Sequence, residues 1–195
     1  EVLIDPCEAY VCATPPASEC HADAVTYSTT LSPTGACVLD DEGAPTCVYD
    51  IEVVDCGLTG EVCVASVGCD ADAEMPVAAG QLVMSELMVR PLASVPPTGQ
   101  WLEITNTSDA PLDLNGCELT VDALLTATVD APLVVGVAVT RVLGALDVSG
   151  ANGGVALDWA WGNLLEFPSS AGDVVLTCDD VEIDRVTYGV GWPNV

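Results

Sequence analysis

Eight of the chain's ten cysteines fall within its first 69 residues, at Cys7, Cys12, Cys20, Cys37, Cys47, Cys56, Cys63 and Cys69. No other feature restricts the fold as much. A segment this short buries little core, and an even number of clustered cysteines reads as a disulfide framework. Zinc is the weaker reading, because no two cysteines have C-x-x-C spacing and the single histidine, His21, merely adjoins Cys20. The eight admit on the order of 100 pairings, and spacing does not choose among them. The remaining two, Cys117 and Cys178, fit one further bridge. Closing a loop of about 60 residues, it would contribute about 4 kcal/mol in the chain-entropy model.

Oxidised cysteines imply an oxidising compartment, so the chain is expected to be secreted and to work extracellularly or at a cell surface. It begins at Glu1 rather than Met, which fits a mature secreted protein whose signal has been removed. No apolar run reaches the ~18–20 residues of a spanning helix, so membrane insertion is not expected.

Charge narrows the partners. Thirty acidic residues face three basic ones, for a net charge of −27. Residues 1–75 carry −15 with no basic residue, and residues 76–195 carry −12. Nucleic acid and anionic lipid both need clustered Lys and Arg, so neither is expected as a partner. Half the residues are apolar and mean hydropathy is +0.46, which separates the chain from disordered acidic tails. Self-repulsion on this scale calls for a medium with salt or calcium. The expected partners are copies of the chain itself or other extracellular proteins.

The pattern predicts an all-β chain in two parts. Residues 1–69 read as a small disulfide-rich β module, with strands over 24–28 and 47–54 between turns at Pro15-Pro16, 33–35 and 42–45. Residues 70–80 read as an acidic linker. Residues 81–195 read as an immunoglobulin-like β-sandwich, with strands over 82–89, 101–106, 117–121, 124–129, 173–178 and 181–188 and an apolar run at 133–143. In the first of these, Val83, Ser85, Leu87 and Val89 would share one face. Ile183 and Val186 are apolar but three apart, an offset that a bulge or an edge twist would absorb.

Several pieces of this second part resemble a lamin tail domain of the secreted bacterial type, over residues of about 82–193. They are LVMSELMV, GQWLEITNTSDAPLDLNGCELT, SSAGDVVLTCDD and VEIDRVTYGVGWP, in that order. Trp101, Glu103, Asn106, Asp113, Leu114, Gly116, Gly172, Asp173, Tyr188, Trp192 and Pro193 fall on the family's pattern. Cys117 departs from it, standing where the family usually has Trp, and a bridge to Cys178 would replace the buried aromatic. The resemblance implies an immunoglobulin-type sandwich with a binding or scaffolding role and no catalytic residues.

Candidate sites are few. One histidine, no lysine and no cysteine expected to be free leave little for acid–base or nucleophilic catalysis, so no enzymatic activity is expected. Asp70, Asp72 and Glu74 alternate in the linker and suit calcium, which takes several hard oxygen ligands; a solvated acidic linker is the plainer alternative, and no cofactor is required. Trp159 and Trp161 would point to one side of an extended segment, as a binding surface or as core filling. Val2, Leu3 and Ile4 form a short apolar strand ahead of the first cysteine, suited to adding to a neighbour's sheet. Asn106-Thr107-Ser108 matches a glycosylation sequon. The leading function is a structural subunit of a surface assembly or homopolymeric filament. The alternative is an adhesive or ligand-binding secreted module, with or without a dependence on calcium.

Overall fold

The computed structural model describes residues 5–64, 67–91 and 98–189. The first part contains β1 (Glu19–Cys20), β2 (Thr26–Thr30), β3 (Ala36–Leu39), β4 (Pro45–Val48), β5 (Ile51–Asp55), β6 (Glu61–Val64) and β7 (Gly68–Asp72), with a 3-10 turn at Cys56–Thr59. The second contains β8 (Leu82–Met88), β9 (Trp101–Asn106), β10 (Leu112–Asp113), β11 (Glu118–Val121), β12 (Leu125–Thr128), β13 (Val134–Val135), β14 (Thr140–Gly144), β15 (Trp159–Ala160), β16 (Gly172–Cys178) and β17 (Val181–Tyr188). One helical turn, Ser149–Asn152, interrupts them. The chain is all-β and disulfide-rich. The second part is a sandwich of two four-stranded sheets, ordered β15-β14-β9-β8 and β12-β11-β16-β17. Apart from β15, which joins β14 in parallel, this is the strand order of immunoglobulin-like sandwiches.

Between the sheets lie Leu82, Leu102, Ile104, Leu119, Leu143, Leu176 and Ile183, all essentially inaccessible, with Trp161 and Phe167 in tilted contact at 5.4 Å. Two bulges set which side chains reach this core. In β8, Met84 pairs with Ile104 and Glu86 with Glu103, so Ser85 is the extra residue. Leu82 and Met84 before it and Leu87 and Val89 after it all face inward. The uniform alternation expected over 82–89 is therefore broken, because an inserted residue inverts the two-residue period. In β17, Thr177 pairs with Glu182 and Leu176 with Asp184, leaving Ile183 as the bulged residue; of the two ways to absorb its offset from Val186, a bulge or an edge twist, the chain uses the bulge. The apolar run at 133–143 is two strands, β13 and β14, parted by a turn with Ala138 in the left-handed region. Cys117 and Cys178 are bridged and fully buried, across the neighbouring strands β11 and β16.

The N-terminal module is built differently. Among its described residues the buried apolar ones are Cys12, Val25 and Cys56, while Tyr10, Val11, Leu31, Val48, Ile51 and Val53 are exposed. Bridges replace the missing core: Cys7–Cys37, Cys12–Cys47, Cys20–Cys63 and Cys56–Cys69. One device appears twice. Cys37 and Cys47 are opposite each other in the β3–β4 hairpin, and Cys63 and Cys69 in the β6–β7 hairpin, yet each bonds outward to a different segment. Each hairpin is thereby tied to the module at two points. The strand expected over 47–54 divides into β4 and β5, because β4 pairs with β3 whereas β5 turns to β2. The strand expected over 24–28 begins later, at Thr26. Ala24 is left-handed, and the Asp23 carboxylate accepts the N–H groups of Val25 and Thr26.

Tyr188 closes the far end of the sandwich, its hydroxyl donating to Pro168 O at 2.8 Å. Burial, with the Asp122 charge nearby, pushes its phenol up to about 12. The folded value lies above the ordinary one of about 10, so its contribution is complete below about pH 10 and is lost as pH rises towards 12. The expected result is a urea midpoint that falls between pH 9 and pH 12 in the wild type and falls less in Tyr188→Phe. Equal alkaline loss in both would contradict it.

Candidate functional site: the joint between the two modules

In a chain with three basic residues, the position of each is informative. Arg141 stands in β14 on the core-facing side, opposite Ile104 and two residues before Leu143. Strand alternation therefore carries a guanidinium inward, to the end of the sandwich against which the N-terminal module packs. Nε donates to Val134 O at 3.0 Å and Nη1 to Asp158 Oδ1 at 3.1 Å. Nη2 reaches across to the N-terminal module and donates to Asp55 Oδ2 at 2.9 Å and Oδ1 at 3.2 Å. A planar fork with several donors in fixed directions suits this role, which a lysine ammonium could not fill.

Each partner of Arg141 has a second task. Asp55 Oδ1 accepts Gly57 N–H and so caps the 3-10 turn. Asp158 Oδ2 accepts Val142 N–H at 2.7 Å and positions the segment leading into β15. One buried cation thus ties β14, the β13 backbone, the approach to β15 and the end of β5.

Backbone contacts extend the joint. Val137 N–H donates to Asp23 O at 2.8 Å. At Gly136 the modules approach so closely that a Cβ would sit 2.6 Å from Asp23 O and 2.7 Å from a Val25 methyl. Gly57 likewise lies against Val134, where a Cβ would stand 3.1 Å from its Cβ. Burial acts to raise the Asp23 carboxyl, but hydrogen bonds from the Thr26 hydroxyl and from the Thr26 and Val25 amides outweigh it and hold the group below the ordinary range.

Of the candidate site residues, Cys117 and Cys178 are bridged as expected, and the acidic and tryptophan candidates lie in separate settings. Asp70 and Asp72 belong to strand β7, paired with β6, rather than to a flexible linker. Glu74 lies against the sandwich, in a parallel bridge with Leu112, with Asp113 N–H donating to Glu74 O at 2.9 Å. The segment read as a free linker is thus half strand and half seam. Among the described residues no group of three or more His, Cys, Asp or Glu side chains gathers as a metal ion would require. Trp161 is core and Trp159 is half-buried, its Nε1 donating to Asp130 at 3.2 Å, so the two do not form one exposed platform. Asn106 is buried, and its Nδ2 donates to Ala110 O and Val135 O, so the sequon is closed in the folded chain. Val2, Leu3 and Ile4 lie outside the described residues.

Sequence reasoning passed over Arg141, Asp55 and Asp158. The available signal was an arginine adjoining an apolar run in a chain almost without cations. Arg185 is the contrasting case: it pairs with Asp173 and Glu182 on the exposed face of β17.

The joint and its staples define a disulfide-rich β module locked to a β-sandwich, suited to an oxidising environment. No helix among the described residues is long and apolar enough to cross a membrane. No protein-family model matches the chain, and no curated protein sequence matches it.

Proposed function

We propose that the chain is a non-enzymatic, secreted structural subunit that assembles with copies of itself at a cell surface or in a filament, joined by N-terminal strand addition. The observation that carries this reading is the joint. A module with almost no core is stapled by four bridges and then fixed to a sandwich by Arg141 and by close glycine contacts. That construction spends covalent bonds and the chain's most buried cation on shape. The resemblance of residues 82–193 to lamin tail domains, a scaffolding module, supports the same reading.

The test is deletion of residues 1–5. The truncated chain is expected to keep the wild-type circular dichroism and melting temperature and to stay monomeric by light scattering where the wild type forms large particles. Identical particles from both would remove strand addition from the account.

A rival reading, a ligand-binding module, draws on a groove of about 310 Å³ lined by Thr120, Asp173, Thr177, Glu182 and Arg185 on the outer face of β11, β16 and β17. Calorimetry with calcium on the wild type and on an Asp173→Asn/Glu182→Gln variant tests its metal-dependent form: no heat in the wild type, or equal heat in both, removes the groove as a calcium site.

A further inference from the structure

We infer that the outer edge of β5 is the acceptor for the Val2-Leu3-Ile4 segment of a second copy, added as an extended strand; this rests on the assembly reading above. The hydrogen-bond phase of the β2–β5 pair identifies the free groups. Leu31 N–H donates to Asp50 O and Cys56 N–H to Val25 O. Residues 50, 52, 54 and 56 therefore turn their backbone groups to β2, and Ile51, Val53 and Asp55 turn theirs away. Among the described residues, no backbone hydrogen bond from another element reaches Ile51 or Val53.

Side chains make this edge apolar. Ile51 and Val53 are 54% and 60% exposed, and two residues apart they share one face. The β8 and β17 edges cover each other, through Gly80 N–H to Ile183 O and Met84 N–H to Asp184. The free backbone groups of β12 belong to Thr126 and Thr128, so that edge is polar.

The occupant follows from charge and length. No basic residue lies in residues 1–75, so nothing local attracts an acidic partner, and two copies at −27 can meet here only through backbone and apolar groups. Val2-Leu3-Ile4 supplies both. Extended, residues 1–5 span about 17 Å, the length of the five-residue β5. The segment is rooted at Cys7, whose bridge to Cys37 ties it to the β3–β4 hairpin, and that hairpin leaves the β2–β5 ladder at the Leu31–Asp50 end. Each copy thus carries both a donor segment and an acceptor edge, a head-to-tail arrangement that propagates as an open chain.

The test is Val53→Pro in the full, oxidised chain. Proline removes an N–H that β2 does not use, and edge strands tolerate it there. The expected result is an unchanged melting temperature with an assembled fraction lowered about tenfold or more at matched concentration. Thr126→Pro, made likewise at the β12 edge, should assemble as the wild type does. Hydrogen exchange at the Val53 amide should be slow in wild-type particles and fast in dilute monomer. If Val53→Pro assembles normally, or if wild-type particles leave the Val53 amide unprotected, the acceptor is wrong while assembly stands. Protection in dilute monomer would mean docking within one copy and would overturn the role of a second one. A wild type that stays monomeric throughout overturns both readings.

Discussion

Replacing Arg141 with methionine is expected to destabilise the protein by about 2–3 kcal/mol, towards or below the lower end of the range for breaking a buried ion pair from one side. The substitution leaves Asp55 and Asp158 facing the same space without a cation, and leaves Val134 O without its donor. Both carboxylates keep some solvent contact, with side chains 31% and 25% exposed, which is why the larger values are not expected. For a chain of this length the melting temperature should fall by roughly 4–12 °C. Arg141→Lys keeps the charge but not the fork and should fall between the two. Adding Asp55→Asn and Asp158→Asn to Arg141→Met should recover part of the loss, because the stranded charges go with the cation. A loss below about 0.5 kcal/mol for Arg141→Met, the size of an ordinary surface substitution, would mean that the joint is not what holds the modules together.

Reduction is expected to separate the two modules more sharply still. Removing a native bridge from a small secreted domain costs about 2–5 kcal/mol, and four such losses, about 8–20 kcal/mol, are as large as the roughly 5–15 kcal/mol by which domains are usually stable. Among its described residues the N-terminal module buries only Val25 and two bridged cysteines, too little to compensate, so a thiol reductant should unfold residues 5–72. The sandwich has its own core, and its one bridge is fully buried, so β9, β11, β14 and β16 should keep slow amide exchange under the same conditions. Hydrogen exchange followed by mass spectrometry reads both regions in one sample. Simultaneous loss of protection in both would show that the sandwich depends on the staples. Retained protection in β2 and β5 would show that the N-terminal module does not.

What was legible in advance follows physical lines. β9 and β16 announce themselves because half-buried antiparallel strands alternate, and Cys117–Cys178 could be paired because two cysteines stood apart from the other eight. The N-terminal connectivity was closed to such reading. Cys37 faces Cys47 and Cys63 faces Cys69 across their hairpins, yet none of these pairs is bonded, and no spacing rule encodes that. Strand β7 was hidden because Gly-Cys-Asp-Ala-Asp has no β-branched or aromatic residue and is built largely of types depleted in strands; its pairing with β6 and the Cys56–Cys69 bridge hold it. The bulge at Ser85 was hidden because one inserted residue inverts the faces without changing composition. Arg141 escaped for a different reason. Its two carboxylate partners lie 86 positions before it and 17 after it, and a contact so distant has no local signature.

The charge sets the terms of assembly. With −15 on the N-terminal residues and no cation among them, contact between copies should strengthen with salt, as screening shortens the reach of the repulsion to roughly 3 Å at 1 M. Electron microscopy of the purified, oxidised full chain at low and high salt tests the central claim most directly. The account predicts filaments or regular particles, more abundant at high salt. Separate monomers at every salt and protein concentration would contradict it.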